Sequence, residues 1–244
     1  MPTVIRAVIF DLGGTLLDFN PQRLPWLEWE RMGLDAAHAY LAGRGYDLLL
    51  DALAAHFCGS LAERWDRATK GGTNLRLQDL LSESCAACGT VPTPDEIAEA
   101  VTRYIAPLDV RVVAFDDALA TLDALRQQGH KIGLISNTMW PGEFHRQEMA
   151  RSRLLPYFDH VLFSSEVGIW KPQPGIYHLC LDTLGVSPAE AVFVGDMPEH
   201  DIVGAQRAGM RGILKRNDGN QPGAVRPDAE IVQLSELPAL IERW

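Results

Sequence analysis

Asp11 ends the run Ala7-Val8-Ile9-Phe10 and stands just before Gly13-Gly14-Thr15, so four apolar residues deliver one carboxylate into a glycine-rich turn. An acid in that position can cap the turn, or it can act as a nucleophile that divides one difficult hydrolysis into two easier steps. Three more polar sites are candidates for the same chemistry: Ser136-Asn137 after Ile132-Gly133-Leu134-Ile135, Lys171 in Trp170-Lys171-Pro172-Gln173-Pro174, and Asp196 with Asp201 after Ala191-Val192-Phe193-Val194-Gly195. Each also has an ordinary reading. Ser-Asn is a common turn, most lysines are solvated, and Asp201 suits the cap of a helix starting at Ile202. Their chemistries are nevertheless complementary: tight glycine turns bring backbone N–H groups close to phosphoryl oxygens, and paired carboxylates are the hard oxygen ligands that Mg²⁺ takes.

The elements around these residues have a common pattern. Short runs apolar on both faces recur at residues 7–10, 132–135, 161–163, 192–194 and 212–214, as expected of buried parallel strands. Helix-like segments lie between most of them: Leu119, Leu122 and Leu125 share one face before the stop at Gly129, residues 176–184 end at Gly185, and residues 202–208 end at Gly209. In a parallel sheet all strand carboxyl ends emerge on one edge, so Asp11, Ser136 and Asp196 are expected to meet there despite their separation in sequence. Residues 19–109 differ, being rich in Leu, Ala and Arg at helical spacing without a strand-like run. The expected fold class is therefore α/β, a Rossmann-like parallel sheet with helices on both faces, formed by residues 1–18 and 110–244. A helical cap domain over residues 19–109 interrupts it. A loop is expected over residues 218–223 and a last short strand near Ile231-Val232.

The set of motifs, in this order, resembles the haloacid dehalogenase superfamily of phosphoryl-transfer hydrolases. By that resemblance Asp11 is the nucleophile, and Gly14, Thr15, the Ser136 hydroxyl and the Asn137 backbone amide surround the phosphoryl group. Lys171 neutralises charge shared between Asp11 and that group. The resemblance also implies Mg²⁺ held by Asp11, Asp196, Asp201 and the carbonyl of Gly13, with Asp201 orienting a bound water or Lys171. One position departs from the phosphatase pattern DxDx[TV]: Gly13 stands where the second aspartate belongs. A carbonyl ligand survives that change, but the acid that protonates the leaving alkoxide does not. Alkyl esters should then suffer most, since general acid–base groups contribute about 10²–10⁴-fold, and Gly13→Asp should raise their turnover if the turn accepts the side chain. His200, Asp18 and Glu28 are weak candidates for a replacement. Trp26, Trp29 and Trp170 either line a substrate pocket or serve packing. The implied activity is Mg²⁺-dependent hydrolysis of a small phosphorylated metabolite. Carbon–halogen hydrolysis, or a weakened scaffold that only binds, are the alternatives.

Composition narrows the field further. The 244 residues carry a formal net charge of −10 and no clustered basic segment, so a nucleic-acid partner is not expected. The N-terminus lacks an apolar signal region and no stretch approaches membrane-spanning length, giving the expectation of a cytoplasmic protein without a membrane partner. Whether it is a monomer or a homodimer is left open. The four cysteines include one CxxC pair, Cys85 and Cys88, with nothing nearby to complete a zinc site; free thiols are expected.

Overall fold

The computed structural model describes residues 4–217 and 223–244. The expected loop over 218–223 therefore lies, apart from Gly223, outside the described residues.

Strand β1 (Ala7–Phe10) is buried throughout. It leads to a short strand β2 (Leu17–Asp18), which pairs antiparallel with β3 (Val113–Ala114). Between these two lie four helices: α1 (Trp26–Gly43), α2 (Leu50–Thr69), α3 (Leu77–Ala87) and α4 (Pro94–Asp109). The small β2–β3 ribbon thus marks where the chain leaves the sheet and where it returns. Leu34, Leu53, Phe57, Leu80, Tyr104 and Ile105 are among the buried residues of these helices, which share a core of their own with Met139, Trp140 and Trp170. Each such aliphatic side chain withdrawn from water contributes about 1.5–3 kcal/mol. Helix α4 begins on a capping box in which Thr93 Oγ1 accepts the Glu96 N–H and Glu96 accepts the Thr93 N–H.

After α5 (Ala118–Gln127) come β4 (Lys131–Ser136), α6 (Gly142–Arg151), β5 (His160–Phe163), α7 (Ser164–Val167), α8 (Pro174–Leu184) and β6 (Ala191–Gly195). The chain closes with α9 (Val203–Arg207), β7 (Arg211–Lys215), β8 (Ala229–Ile231) and α10 (Leu237–Ile241). Strands in the order β5-β4-β1-β6-β7-β8 form one sheet whose pairings are all parallel. Two apolar clusters pack on its two faces. Strands are added outward from β1 through β4 to β5, and the chain then crosses to build β6, β7 and β8 on the other side. The direction of addition reverses between β1 and β6, and the crevice at their carboxyl ends is where such sheets bind ligands.

The expected strands appear within a residue or two of their apolar runs, and the last one ends at Ile231, leaving Val232 exposed. Glycines 129, 185 and 209 stand at the expected helix ends with positive φ. Helix α9 starts at Val203 because residues Pro198–Ile202 form a wider π-helical turn ahead of it. Among the described residues no helix is long and apolar enough to cross a membrane.

Candidate active site

Asp11 continues directly from β1, its N–H still donating to the Val194 carbonyl of β6 at 2.9 Å. Thr15 donates its hydroxyl to Asp11 Oδ2 at 3.4 Å, which ties the carboxylate to the far side of the Gly13-Gly14 turn. Gly14 has φ +75°, and a β-carbon there would collide with the carboxylate of Asp196, so only glycine admits that acid so close to the loop. Gly195 is constrained in the same way by the carboxylate of Asp201.

Lys171 joins the two acidic loops. Its ammonium donates to Asp11 Oδ1 at 2.6 Å and to Asp201 Oδ1 at 2.7 Å, and the side chain is almost wholly buried. The ordinary reading of a solvated lysine does not hold. Asn137 accepts the Lys171 N–H through Oδ1 at 2.8 Å and donates Nδ2 to the Lys171 carbonyl at 2.9 Å. Trp170, fully buried, anchors the preceding residue in the helical layer, packing edge-on against Trp65 and donating its indole N–H to Asn74. Asn137 thus holds the lysine loop with its side chain, a role additional to the backbone contact expected of it.

Asp201 is not a side-chain cap on the following helix. It sits inside the π-helical turn, fully buried, and its Oδ2 accepts the Met197 N–H at 2.8 Å. Asp196 accepts from Asn217 Nδ2 at 3.0 Å. Ligand oxygens of Asp11, Asp196 and Asp201 lie within 4.8 Å of one another. Burial pushes the Asp11 carboxyl up to about 6, Lys171 opposing the rise and Asp201 adding to it. Burial pushes Asp196 up to about 7, reinforced by the charges of Asp11 and Asp201. Burial also works against the Lys171 ammonium, but the two acids outweigh it and hold its pKa above the usual lysine value. Three buried acids gathered around one lysine are what a divalent cation would neutralise, so these residues fit the Mg²⁺ that the family resemblance implies.

A cavity of about 310 Å³ opens beside Asp11 and Lys171. Gly13, Ser136, Asn137, Asp201 and His200 line it toward the sheet, and Phe19, Trp29, Trp65, Met139 and Trp140 line it toward the helices. Of the other aromatic candidates, Trp26 is 48% exposed and does not line this cavity, while Trp170 belongs to the core. Glu28 is exposed and faces a different hollow. Asp18 is engaged with Arg23 and the Asn20 N–H and lines an adjoining hollow that shares Gly13, Phe19 and Met197 with this cavity. His200 borders it, with burial lowering its pKa.

Gly13 presents a narrower opening than its lack of a side chain suggests. A β-carbon added there would meet the ring of Phe19 at 3.2 and 3.3 Å, so Gly13→Asp alone requires that ring to move. Four contributors lie outside the motifs. Lys215 is buried, lies 3.7 Å over the Phe115 ring and donates to the Gly14 carbonyl at 3.2 Å. Glu30, in the cavity wall, is buried and accepts the Tyr104 hydroxyl. Thr138 and His145 complete the wall next to Ser136 and Asn137. The cysteines are free thiols, and burial pushes Cys85 up to about 11 and Cys180 to about 12, far from reactive thiolates.

The family model for haloacid dehalogenase-like hydrolases matches residues 5–209, most of the chain. The chain belongs to that family and is a hydrolase. It is 33% identical over 240 residues to a glyceraldehyde 3-phosphate phosphatase of Methanopyrus kandleri, covering 96% of each protein. It is also 33% identical to a phosphoserine phosphatase of Thermus thermophilus, covering 96% of this chain and 98% of that one. Among solved structures, a 2-haloacid dehalogenase from Pseudomonas syringae pv. Tomato superposes with a TM-score of 0.71 at 28% identity, covering 99% of this chain and 100% of that one. A haloacid dehalogenase-type phosphatase from Thermococcus onnurineus superposes with a TM-score of 0.70 at 25% identity, over 97% and 98% of the two chains.

Proposed function

We propose that this hydrolase removes the phosphoryl group of a small phosphorylated metabolite by way of an aspartyl-phosphate on Asp11. The observation that carries the reading is the junction of Asp11, Lys171 and Asp201 through a single ammonium, with Asp196 alongside, at the reversal point of the sheet. A carboxylate held by a lysine on one oxygen is oriented to attack with the other, and the lysine then offsets charge as the phosphoryl group arrives. Gly14 and Thr15 shape the turn under that group, and Ser136 and the Asn137 backbone amide supply donors opposite Asp11. Mg²⁺ would be held by Asp11, Asp196, Asp201 and the Gly13 carbonyl, and when bound supplies positive charge for the phosphoryl oxygens. Helices α1–α4 act as the cap, excluding water and selecting the leaving group.

Carbon–halogen hydrolysis needs no acid at Gly13, and the likeness to a 2-haloacid dehalogenase keeps it in view. The paired acids Asp196 and Asp201 favour phosphorus, because attack on carbon gives them no task, and the two phosphatase relatives extend over nearly the whole chain. A panel of phosphorylated metabolites assayed with and without Mg²⁺ separates the readings. Metal-dependent phosphate release is expected; halide release from 2-haloacids without metal, in place of phosphate release, would overturn the proposal.

A further inference from the structure

Beside the acidic cluster, the wall of the same cavity holds a second chain of polar groups. Thr138 follows Ser136 and Asn137, His145 is in the first turn of α6, and Glu148 lies one turn further along; all three are buried. Thr138 Oγ1 is 2.7 Å from His145 Nε2, and His145 Nδ1 is 2.7 Å from Glu148 Oε2. The imidazole is fixed on several sides: Trp140 stacks on it at 5.4 Å with an interplanar angle of 4°, and Phe19 and Phe163 meet it at 5.6 and 5.2 Å. Thr138 and His145 line the reaction cavity with Asp11 and Gly13, whereas Glu148 stands behind them. Asp109 faces Glu148 from the end of α4 and is itself engaged by Arg151.

Counting the hydrogen bonds of the threonine shows what the arrangement can do. Its oxygen has two lone pairs and one proton. One lone pair accepts the Trp140 N–H at 3.0 Å. The carboxylate of Glu148 makes Nδ1 a donor, so Nε2 alone varies. When His145 carries both protons, Nε2–H fills the second lone pair, and the Thr138 O–H must look for an acceptor in the cavity. When His145 is neutral, Nε2 accepts a hydrogen bond from the Thr138 hydroxyl and a lone pair of Thr138 is open to a water molecule. The same oxygen is a proton donor in one state and a proton acceptor in the other.

The position matters as much as the chemistry. Phe19 fills the space a side chain at Gly13 would need, and the same ring lies edge-on against His145. The relay therefore stands one ring away from where the family pattern places the acid that this chain lacks. We infer that Thr138, driven by His145 and held by Glu148, replaces that acid and base. This inference rests on the phosphoryl-transfer reading above. As Asp11 forms its bond to phosphorus and the ester P–O bond breaks, the leaving oxygen takes the Thr138 hydroxyl proton and Thr138 takes the Nε2 proton of His145. In the second half, Thr138 accepts a proton from the attacking water and passes its own to Nε2. The new P–O bond then releases Asp11 and His145 is restored. Thr138 touches the substrate; His145 and Glu148 are positioning and proton-storing residues behind it.

The test is leaving-group dependence, read as the ratio of kcat/KM for glycerol phosphate to that for p-nitrophenyl phosphate. Because kcat/KM runs only to the first irreversible step, it isolates expulsion of the leaving group. Thr138→Val keeps the shape of the side chain and removes the hydroxyl; His145→Gln removes the proton store. Both are expected to lower the ratio about 10²-fold or more, and Thr138→Ser is expected to preserve it. A merely structural role would depress both esters together and leave the ratio in place, which overturns the relay while the phosphatase reading survives. Wild-type turnover of the aryl ester alone also overturns the relay. Turnover of neither ester overturns the phosphoryl-transfer reading and the relay with it.

Discussion

The two walls of the cavity are built on opposite principles. On the sheet side, Asp11, Asp201 and Lys171 are buried and locked to one another and to the backbone by short hydrogen bonds, with Asp196 held alongside by Asn217. On the helical side, Trp29, Trp65, Phe19 and Met139 offer shape and apolar surface, with Glu30 as a buried acid among them. The first wall has one useful arrangement, because unpaired buried charges are costly. The second tolerates many arrangements, because apolar contacts have little directional demand. On the proposed reading, chemistry belongs to the rigid wall and selection to the adaptable one.

Substitutions should divide along the same line. Asp11→Asn is expected to cut turnover on every substrate by a factor on the order of 10⁴ or more, measured as single-turnover phosphate release. Lys171→Met should lower kcat by about 10²–10³-fold across the same panel, and leave two buried carboxylates without their cation. Trp29→Ala or Trp65→Ala should instead redistribute kcat/KM between substrates by about tenfold or more, with the Mg²⁺ requirement intact. Uniform loss in the tryptophan variants, or substrate-dependent loss in Lys171→Met, would erase the distinction between the walls.

The charged wall also sets a pH dependence. Asp11 and Asp196 have folded-state pKa values of about 6 and about 7, above the ordinary aspartate value of 3.8. Between these limits the two carboxyls bind more protons in the native protein than in the unfolded chain, so their contribution to stability falls as pH rises through this range. Metal-free protein should therefore unfold at lower urea concentration at pH 7.5 than at pH 5. Added Mg²⁺ should raise the midpoint at pH 7.5 and have little effect at pH 5, where protons compete for the same carboxylates. A metal-free midpoint that rises with pH would contradict the buried cluster. The smallest effect is expected far from both walls: Thr93→Ala should remove a helix cap worth about 1 kcal/mol in urea unfolding without altering kcat.

The rigid wall was also the more legible one. Asp11, Ser136 and Asp196 follow apolar runs expected of buried strands, and one rule about parallel sheets brings them to a common edge. Lys171 and Asp201 were legible as partners only through the family resemblance, since nothing local in Trp170-Lys171-Pro172 indicates two acids 160 and 30 residues away. The helical wall was legible as helices, with Trp29 alone singled out among its lining residues. Which face of α1 brings Trp29 and Glu30 to the cavity depends on packing against α4, set by long-range contacts such as Tyr104 against Gly33. The Thr138 relay left one trace, His145 and Glu148 at i, i+3 shortly after Ser136-Asn137, a spacing that places two side chains on one helix face. Burial, which gives that pair its meaning, is not written in the spacing.

In the proposed mechanism the Asp11 carboxylate receives the phosphoryl group. Beryllofluoride mimics an acyl-phosphate, and fluorine NMR of the protein with beryllofluoride and Mg²⁺ reads its formation directly. A bound fluorine resonance in the wild-type protein that vanishes in Asp11→Asn is the predicted result; no bound resonance in the wild type, or the same resonance in the variant, would contradict it.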